Sequence, residues 1–401
     1  MKSVDKDKLI SEIVKSYLEE KEQKGSPPIR ALLEMLLDTL MKAERDVYLK
    51  NAESNKANGY YNRSLTTGAF KLDLKVPRDR DGEFRPSILP DRWRRSDSEY
   101  QALLISLIAN GYSKGEIRRT LRGLGLFYSE GDIEEIRVAL EEAVEDFKAR
   151  ELGSDWLAVF IDAYGCNVKE SGRVRKAQVY VVVGIDLGGG KELLGFYVRF
   201  GQESKSMWLE VLRDLIDRGL KRPLLVVSDD FKGLEDAVLE VFPLSDHQLC
   251  YVHLMRNIKR NLGREDASEF IMGLKRIAMA PDYELGLEEF RELCERYRDR
   301  YPRYMEILMR KAGSYLAFLK YPGDIRRFIY TTNLVESFNS LMEVMRYEKR
   351  GHFQSVGLLE VNLYLAQRRL GEGRWSKVVG RIRAHSYEIK QIFALRYLKE
   401  E

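Results

Sequence analysis

Three carboxylates stand where a sequence of this kind can hold metal ions. Asp162 follows the apolar run Val159-Phe160-Ile161, and Asp229 follows Leu225-Val226-Val227-Ser228. A carboxylate directly after a buried apolar run emerges at the carboxyl end of a strand, where open α/β sheets build their sites. Two such groups a few ångströms apart repel, and one protonates unless a cation sits between them. All-oxygen donors of this type suit Mg²⁺, with Mn²⁺ as the close substitute. Glu336, in Thr331-Thr332-Asn333-Leu334-Val335-Glu336-Ser337-Phe338-Asn339, supplies a third carboxylate from a helix. Together the three complete a two-metal site, in which ions ~3.5–4 Å apart activate an attacking oxygen and stabilise a leaving one. Each residue also has a plainer reading. Asp162 could open a turn. Asp229 or Asp230 could cap a helix starting near Gly233. Asn333 and Glu336 have the spacing of a capping box. Of the adjacent aspartates, Asp229 is assigned to metal and Asp230 to the loop.

Cys250-x-x-His253 has the spacing of half a zinc site, but the other half is missing. The remaining candidates, Cys166, Cys294, His247, His352 and His385, do not pair at ligand spacing. The pair is therefore assigned to the active site. A strand at Gln248–Val252 lying beside the first strand would bring His253 out near Asp162, where a neutral imidazole could donate to a phosphate oxygen. Cys250 reads as a small buried residue supporting it. Gly188-Gly189-Gly190-Lys191 lacks the leading glycine and the Ser/Thr of a phosphate loop, and no serine nucleophile elbow is present.

The elements that position these residues follow from periodicity. Residues 1–55 read as helix, through Leu9, Ile13 and Tyr17 and then Leu32, Leu33, Leu36, Leu37 and Leu40, broken by Ser26-Pro27-Pro28. Asn58-Gly59 and Thr67-Gly68 are turn signals, and Phe70, Leu72, Leu74 and Val76 alternate with charged residues as a strand. Residues 63–95 hold nine Arg/Lys and five Asp/Glu, a local excess of four positive charges. Three helices follow in 97–148, with Ser113 and Glu116 at capping-box spacing and Ser129 as the cap of the third. Short helices with glycine turns suit a helix-turn-helix unit or a plain helical linker. Strands at Trp156–Ile161, Ala177–Ile185 and Leu193–Phe200, a helix at Ser206–Leu220, a strand at Pro223–Ser228, another helix and a short strand follow. This β-β-β-α-β-α-β order is that of a ribonuclease H-like fold, with the first and fourth strands adjacent. Charged helices from Met255 to Tyr321 form an insertion before the last core element.

The expected fold class is therefore multidomain α+β, with a helix-turn-helix DNA-binding region and a ribonuclease H-like α/β catalytic core interrupted by an α-helical insertion. The expected divisions are 1–95 and 96–150, the core at 151–254 and 325–370 around an insertion at 255–324, and a basic helical tail at 371–401. With 401 residues the chain is long enough for several domains, and 44% apolar content fills their cores. Its 67 basic and 63 acidic residues nearly cancel, so net charge alone does not mark a nucleic-acid binder. Three cysteines argue against a disulfide scaffold. The N-terminal stretch has no apolar signal region, and no apolar run reaches the roughly 18 residues of a membrane helix. A cytoplasmic protein without membrane contact is the expectation.

Taken in order, these motifs resemble the Mutator-like insertion-sequence transposases, a DDE family. Asn58-Gly59-Tyr60 with Val76-Pro77-Arg78-Asp79-Arg80-x-Gly82-x-Phe84 is similar to its N-terminal signature, and Gly111-Tyr112-Ser113 with Ile117 to its helix-turn-helix region. Asp162-Ala163, Val227-Ser228-Asp229-x-x-Lys232-Gly233-Leu234 and Thr332-Asn333-x-x-Glu336-x-x-Asn339 match the three acidic positions, and Gln248-x-Cys250-x-x-His253-x-x-Arg256-Asn257 matches the element between the last two. Asp230 departs from the glycine usual there. The resemblance implies an enzyme that binds terminal inverted repeats, hydrolyses a phosphodiester to expose a 3′-OH and joins that end to target DNA. It implies catalytic Asp162, Asp229, Glu336 and His253, two Mg²⁺ or Mn²⁺ per active site, and a homodimer or higher oligomer associated with the nucleoid. Expected DNA contacts are Arg63, Lys75, Arg78, Arg80, Arg85, Arg118, Arg119 and Arg256. The competing readings are a ribonuclease H-like nuclease or resolvase without strand transfer, and a domesticated DNA-binding protein.

Overall fold

The computed structural model describes residues 29–51, 55–66, 71–89, 98–124, 130–348 and 351–398, with positions 11, 14, 15 and 18. The side chains of residues 51, 66, 98, 99, 123, 333, 336 and 345–348 lie outside that description. So do Leu9, Ile13, Tyr17, Ser26-Pro27-Pro28, Thr67-Gly68, Phe70 and Ser129, on which parts of the sequence reading rest. The chain forms two compact units, Met1–Leu140 and Glu141–Glu401.

In the first unit, α1 (Ile29–Asn51) packs against an antiparallel hairpin of β1 (Ala57–Thr66) and β2 (Lys71–Asp79). Period-two alternation puts Leu72, Leu74 and Val76 on the buried face, where they meet Met41, Leu65 and Leu89. Glu34 and Asp38, one turn apart on α1, accept the main-chain N–H groups of Asp73 and Lys75 at 2.9 Å each. Asn58-Gly59, read above as a turn, instead sits inside β1. The pairing register slips between Ala57 and Tyr60, and Gly59 takes φ +71°, so the two residues form a bulge that only glycine accommodates without strain. Three helices follow: α2 (Ser98–Ala109), α3 (Lys114–Gly123) and α4 (Glu130–Ala149). Ser113 and Glu116 make both bonds of the capping box at the start of α3.

The second unit is built on a five-stranded mixed sheet. Its strands are β3 (Asp155–Glu170), β4 (Arg173–Asp186), β5 (Lys191–Arg199), β6 (Arg222–Ser228) and β7 (Asp246–Leu249). Their spatial order is β5-β4-β3-β6-β7, with β3, β4 and β5 antiparallel and β6 and β7 parallel to β3. Between β5 and β7 run α5 (Lys205–Asp217) and α6 (Leu234–Val241). These helices cover one face, where Trp156, Val159, Ile161, Trp208, Leu212, Val226 and Val238 share a core.

Two sequence expectations need correction here. Asp162 does not end its strand. β3 continues to Glu170, and only its parallel partner stops, the last β3–β6 rung being Ile161 with Ser228. The last strand does not lie beside the first or run to Val252. β7 pairs with β6 and ends at Leu249. The Cys250 N–H closes the last rung on the Ser228 carbonyl, the Tyr251 N–H turns instead to the Tyr330 carbonyl, and an amphipathic helix begins at once.

That helix, α7 (Tyr251–Asn261), opens the helical insertion, which continues through α8 (Arg264–Ile277), α9 (Tyr283–Tyr297), α10 (Pro302–Arg310), α11 (Ala312–Leu316), a 3₁₀ turn at Ala317–Lys320 and α12 (Gly323–Arg326). The buried Arg326 guanidinium donates to the carbonyls of Ala280, Pro281, Leu319 and Tyr321, tying the insertion down immediately before the chain returns to the sheet. It returns as α13 (Asn333–Glu348), packed on β3 and β4. Then α14 (Val356–Glu372) lies on β3 and β5, and α15 (Gly380–Ala384) and α16 (Ser386–Tyr397) follow. Among the described residues no helix is long and apolar enough to cross a membrane.

Candidate active site

Asp162 and Asp229 occupy the rank just beyond the last β3–β6 rung. Neighbouring strands run about 4.8 Å apart, so parallel register alone makes these two residues neighbours on one face of the sheet. Asp162 is only 6% exposed. One carboxylate oxygen accepts the Ala163 main-chain N–H and the other accepts the Asn339 amide of α13, both at 2.9 Å. Two residues on, the Tyr164 hydroxyl donates to Glu343 of the same helix at 2.9 Å. These contacts fix which face of α13 meets β3. Position 336 falls on that face by helical spacing, one turn before 339 and two before 343. What the Glu336 carboxylate touches lies outside the described residues, as does any capping bond between Asn333 and Glu336.

His253, on α7, pairs through Nδ1 with the Asp229 carboxylate. The sequence reading brought it out near Asp162; it stands at Asp229 because β7 flanks β6 rather than β3. The Asp229 carboxylate and the Cys250 thiol raise His253 to about 10. The Arg256 guanidinium, which can only donate, lies 2.9 Å from Nε2 and opposes the second proton. In either protonation state Nδ1 keeps its hydrogen toward Asp229. Burial pushes the Cys250 thiol up, but hydrogen bonds with His253 and Thr332 outweigh it and leave the thiol below its ordinary value. Cys250 Sγ and Thr332 Oγ1 are 3.4 Å apart, so the start of α7 is stitched to the residues that open α13.

The ligand atoms of Asp229, Cys250 and His253 all lie within 4.8 Å of one another. That set mixes O, S and N donors, whereas Asp162 and Asn339 offer oxygen only. The Asn339 carbonyl oxygen is buried beside Asp162 with no hydrogen-bond partner, as expected of an acceptor waiting for a cation or its water. The oxygen-rich side of the cluster thus fits Mg²⁺ or Mn²⁺.

Asp229 is also held from behind. The buried Ser228 hydroxyl donates to the Asp229 carbonyl at 2.8 Å and lies 2.9 Å from His247 Nε2. His247 Nδ1 lies 3.9 Å from Glu235, whose carboxyl His247 and Ser314 hold down to about 2. The neighbouring Asp230 turns away to pair with Lys311 of the insertion. Neither aspartate caps α6, whose N-cap is Gly233 without a side-chain bond. Ser228→Ala strands the buried His247 ring nitrogen and frees the Asp229 carbonyl. The expected loss is about 1–3 kcal/mol of unfolding free energy, read by urea denaturation, and an unchanged midpoint and slope would show that the network contributes nothing.

Of the expected DNA contacts, Lys75 and Arg78 are exposed on β2, Arg80 and Arg85 on the turn after it, and Arg118 and Arg119 on α3, while Arg63 on β1 is half-buried. Arg78 lies over the Tyr61 ring at 4.6 Å. Arg256 belongs to the second unit, beside His253. Asn339 carried no role in the sequence reading, although its place three residues after Glu336 in the quoted motif puts both on one helix face. Nothing in residue spacing pointed to the Ser228–His247 contact.

Comparison with known proteins finds relatives along most of the chain. A family profile described as "Transposase, Mutator family" matches residues 6–359. The chain is 31% identical over 351 residues to the transposase for insertion sequence element ISRM3 of Rhizobium meliloti (strain 1021), covering 87% of each protein. It is 30% identical over 330 residues to the transposase for insertion sequence element IS905 of Lactococcus lactis subsp. lactis (strain IL1403), covering 80% of this chain and 83% of the relative. It is 29% identical over 329 residues to the transposase for insertion sequence element IS256 in transposon Tn4001 of Staphylococcus aureus, covering 79% of this chain and 83% of the relative.

Proposed function

Because the chain belongs to the Mutator family of transposases, we propose that Asp162, Asp229 and Glu336 are its catalytic carboxylates, set in a ribonuclease H-like core that a helical insertion interrupts. The observation that carries this reading is the register of β3 against β6. It sets Asp162 beside Asp229 while the helix of Glu336 is anchored on Asp162 through Asn339. Mg²⁺ or Mn²⁺, two ions per site, would be held by the three carboxylates and would supply an activated attacking oxygen and a neutralised phosphate.

The chain's own groups do the rest. Asn339 and the Ala163 N–H keep the Asp162 carboxylate aimed. Ser228 fixes the backbone that presents Asp229. His253 passes its Nδ1 hydrogen to a phosphate oxygen when DNA enters, a bond that strengthens as negative charge builds there. Arg256 then turns from His253 to a neighbouring phosphate. The two chemical steps are hydrolysis of a phosphodiester at the terminal inverted repeat and attack of the freed 3′-OH on target DNA. A joining assay separates this from a plain nuclease: pre-cut ends bearing a 3′-OH are incubated with a target plasmid. Branched products are expected, and hydrolysis without them would favour the nuclease reading.

End recognition is assigned to the first unit, with α2 to α4 as the helix-turn-helix region and the β1–β2 hairpin beside it in sequence. Replacing Arg78, Arg80, Arg118 and Arg119 by Gln in the full chain should flatten the salt dependence of repeat binding. The log–log slope should fall by about 0.9 for each phosphate that the variant no longer neutralises. An unaltered slope would remove these residues from the interface. The functional unit is proposed to be a homodimer or larger, acting at the nucleoid.

A further inference from the structure

β3 and β4 do not stop at the catalytic rank. Beyond the pair Asp162 with Val181 they stay in register to Glu170 with Arg173. At about 3.3 Å per residue this arm reaches roughly 26 Å past Asp162. β6 has ended at Ser228, and β5 ends where Arg199 meets Gln178, so no sheet strand flanks the outer arm. Among the described residues it is braced by the Phe353 main chain, which bonds Asn167 and Lys169, and by the buried side chains of Cys166, Val168 and Ala177 on one face.

The arm is strongly basic. Residues 167–178 hold Lys169, Arg173, Arg175 and Lys176 against Glu170, a net of +3 where the entire chain has +4. All four cations are exposed. The register puts Lys169 and Lys176 on one face of the ribbon and Arg173 and Arg175 on the other. Arg175 is held in place, paired with Glu170 and lying over the Phe200 ring at 4.7 Å. Among the described residues no carboxylate pairs with Lys169, Arg173 or Lys176. Charge on an open edge also discourages strand-to-strand aggregation. That purpose needs a charge or two along the edge, not cations on both faces. A two-stranded ribbon fits the major groove of B-DNA, whose two walls are phosphate.

We propose that this arm is a DNA-gripping ribbon, holding the duplex backbone about six to eight base pairs from the phosphate at Asp162. The distance follows from an arm of roughly 20–26 Å against 3.4 Å per base pair. The assignment rests on the reading of Asp162 as catalytic.

The test is hydroxyl-radical footprinting of the full-length protein, without divalent metal, on a duplex spanning the junction of the gene's own terminal repeat and its flanking DNA. The triple variant Lys169→Gln/Arg173→Gln/Lys176→Gln should lose protection on one side, about six to eight base pairs from the cleaved bond, and keep it over the repeat. Its salt slope should fall by about two to three. Arg173→Gln alone, at the tip, should lose part of the same patch and covers the case of a triple variant that fails to fold. A folded variant with full footprint and slope overturns the arm, as does a loss spread evenly over the duplex. Wild-type protein that protects this patch yet never cuts in Mg²⁺ would count against the catalytic reading and leave the arm standing.

Discussion

Asp162→Asn, Asp229→Asn and Glu336→Gln are each expected to lower cleavage and joining by about a thousandfold or more while repeat binding persists. Removing one carboxylate from a two-metal site forfeits several kcal/mol of stabilisation at the developing phosphate charge, and each ~1.4 kcal/mol is tenfold in rate. Binding persists because it rests on phosphate contacts made elsewhere. Asp230→Asn is the control one residue away. Its carboxylate pairs with Lys311 and faces the insertion, so its loss should change activity only a few-fold. An active Asp229→Asn with a dead Asp230→Asn would shift the assignment by one residue. Gel assays of cleavage, read beside filter binding, decide it.

His253→Ala carries the second large effect. Removing one preorganised donor from a charge-developing site costs about 10²–10³ in rate, and His253 sits against Asp229 with a hydrogen to give. Cleavage should fall by that factor with DNA affinity and thermal midpoint little changed. Cys250→Ser should act in the opposite sense, costing stability more than rate, since Cys250 is buried against Thr332 at the foot of α7. A bound zinc would invert the pattern. Asp229, Cys250 and His253 are close enough to share an ion, and a structural zinc would be released by either substitution, with local unfolding. Elemental analysis of protein purified without added metal separates the two. One zinc per chain, lost on His253→Ala, would overturn the catalytic role.

Local chemistry was legible in the sequence; partnership between segments was not. The runs ending at Asp162 and Asp229 announced themselves because a strand buried on both faces must be apolar throughout. The alternation of Leu72, Leu74 and Val76 and the Ser113–Glu116 box were legible for the same reason: each is settled within a few residues. Which strand β7 joins is not settled locally. Its four residues, Asp246-His247-Gln248-Leu249, carry no pattern that favours one neighbour over the other, and the choice of β6 moved His253 from Asp162 to Asp229. Asn58-Gly59 misled in a related way, since a bulge and a tight turn demand the same positive φ from glycine. Asn339, Tyr164 with Glu343, and Ser228 with His247 are contacts between residues far apart in the chain, and no periodicity encodes them.

The most direct measurement is the number of Mn²⁺ ions bound per chain on repeat DNA. It can be read by electron paramagnetic resonance for the wild-type protein and for Asp162→Asn/Asp229→Asn/Glu336→Gln. The proposed sharing of one site by the three carboxylates predicts about two ions in the wild type and none in the triple variant. Equal numbers in both proteins, or undiminished cleavage by the wild type in excess chelator, would contradict the account.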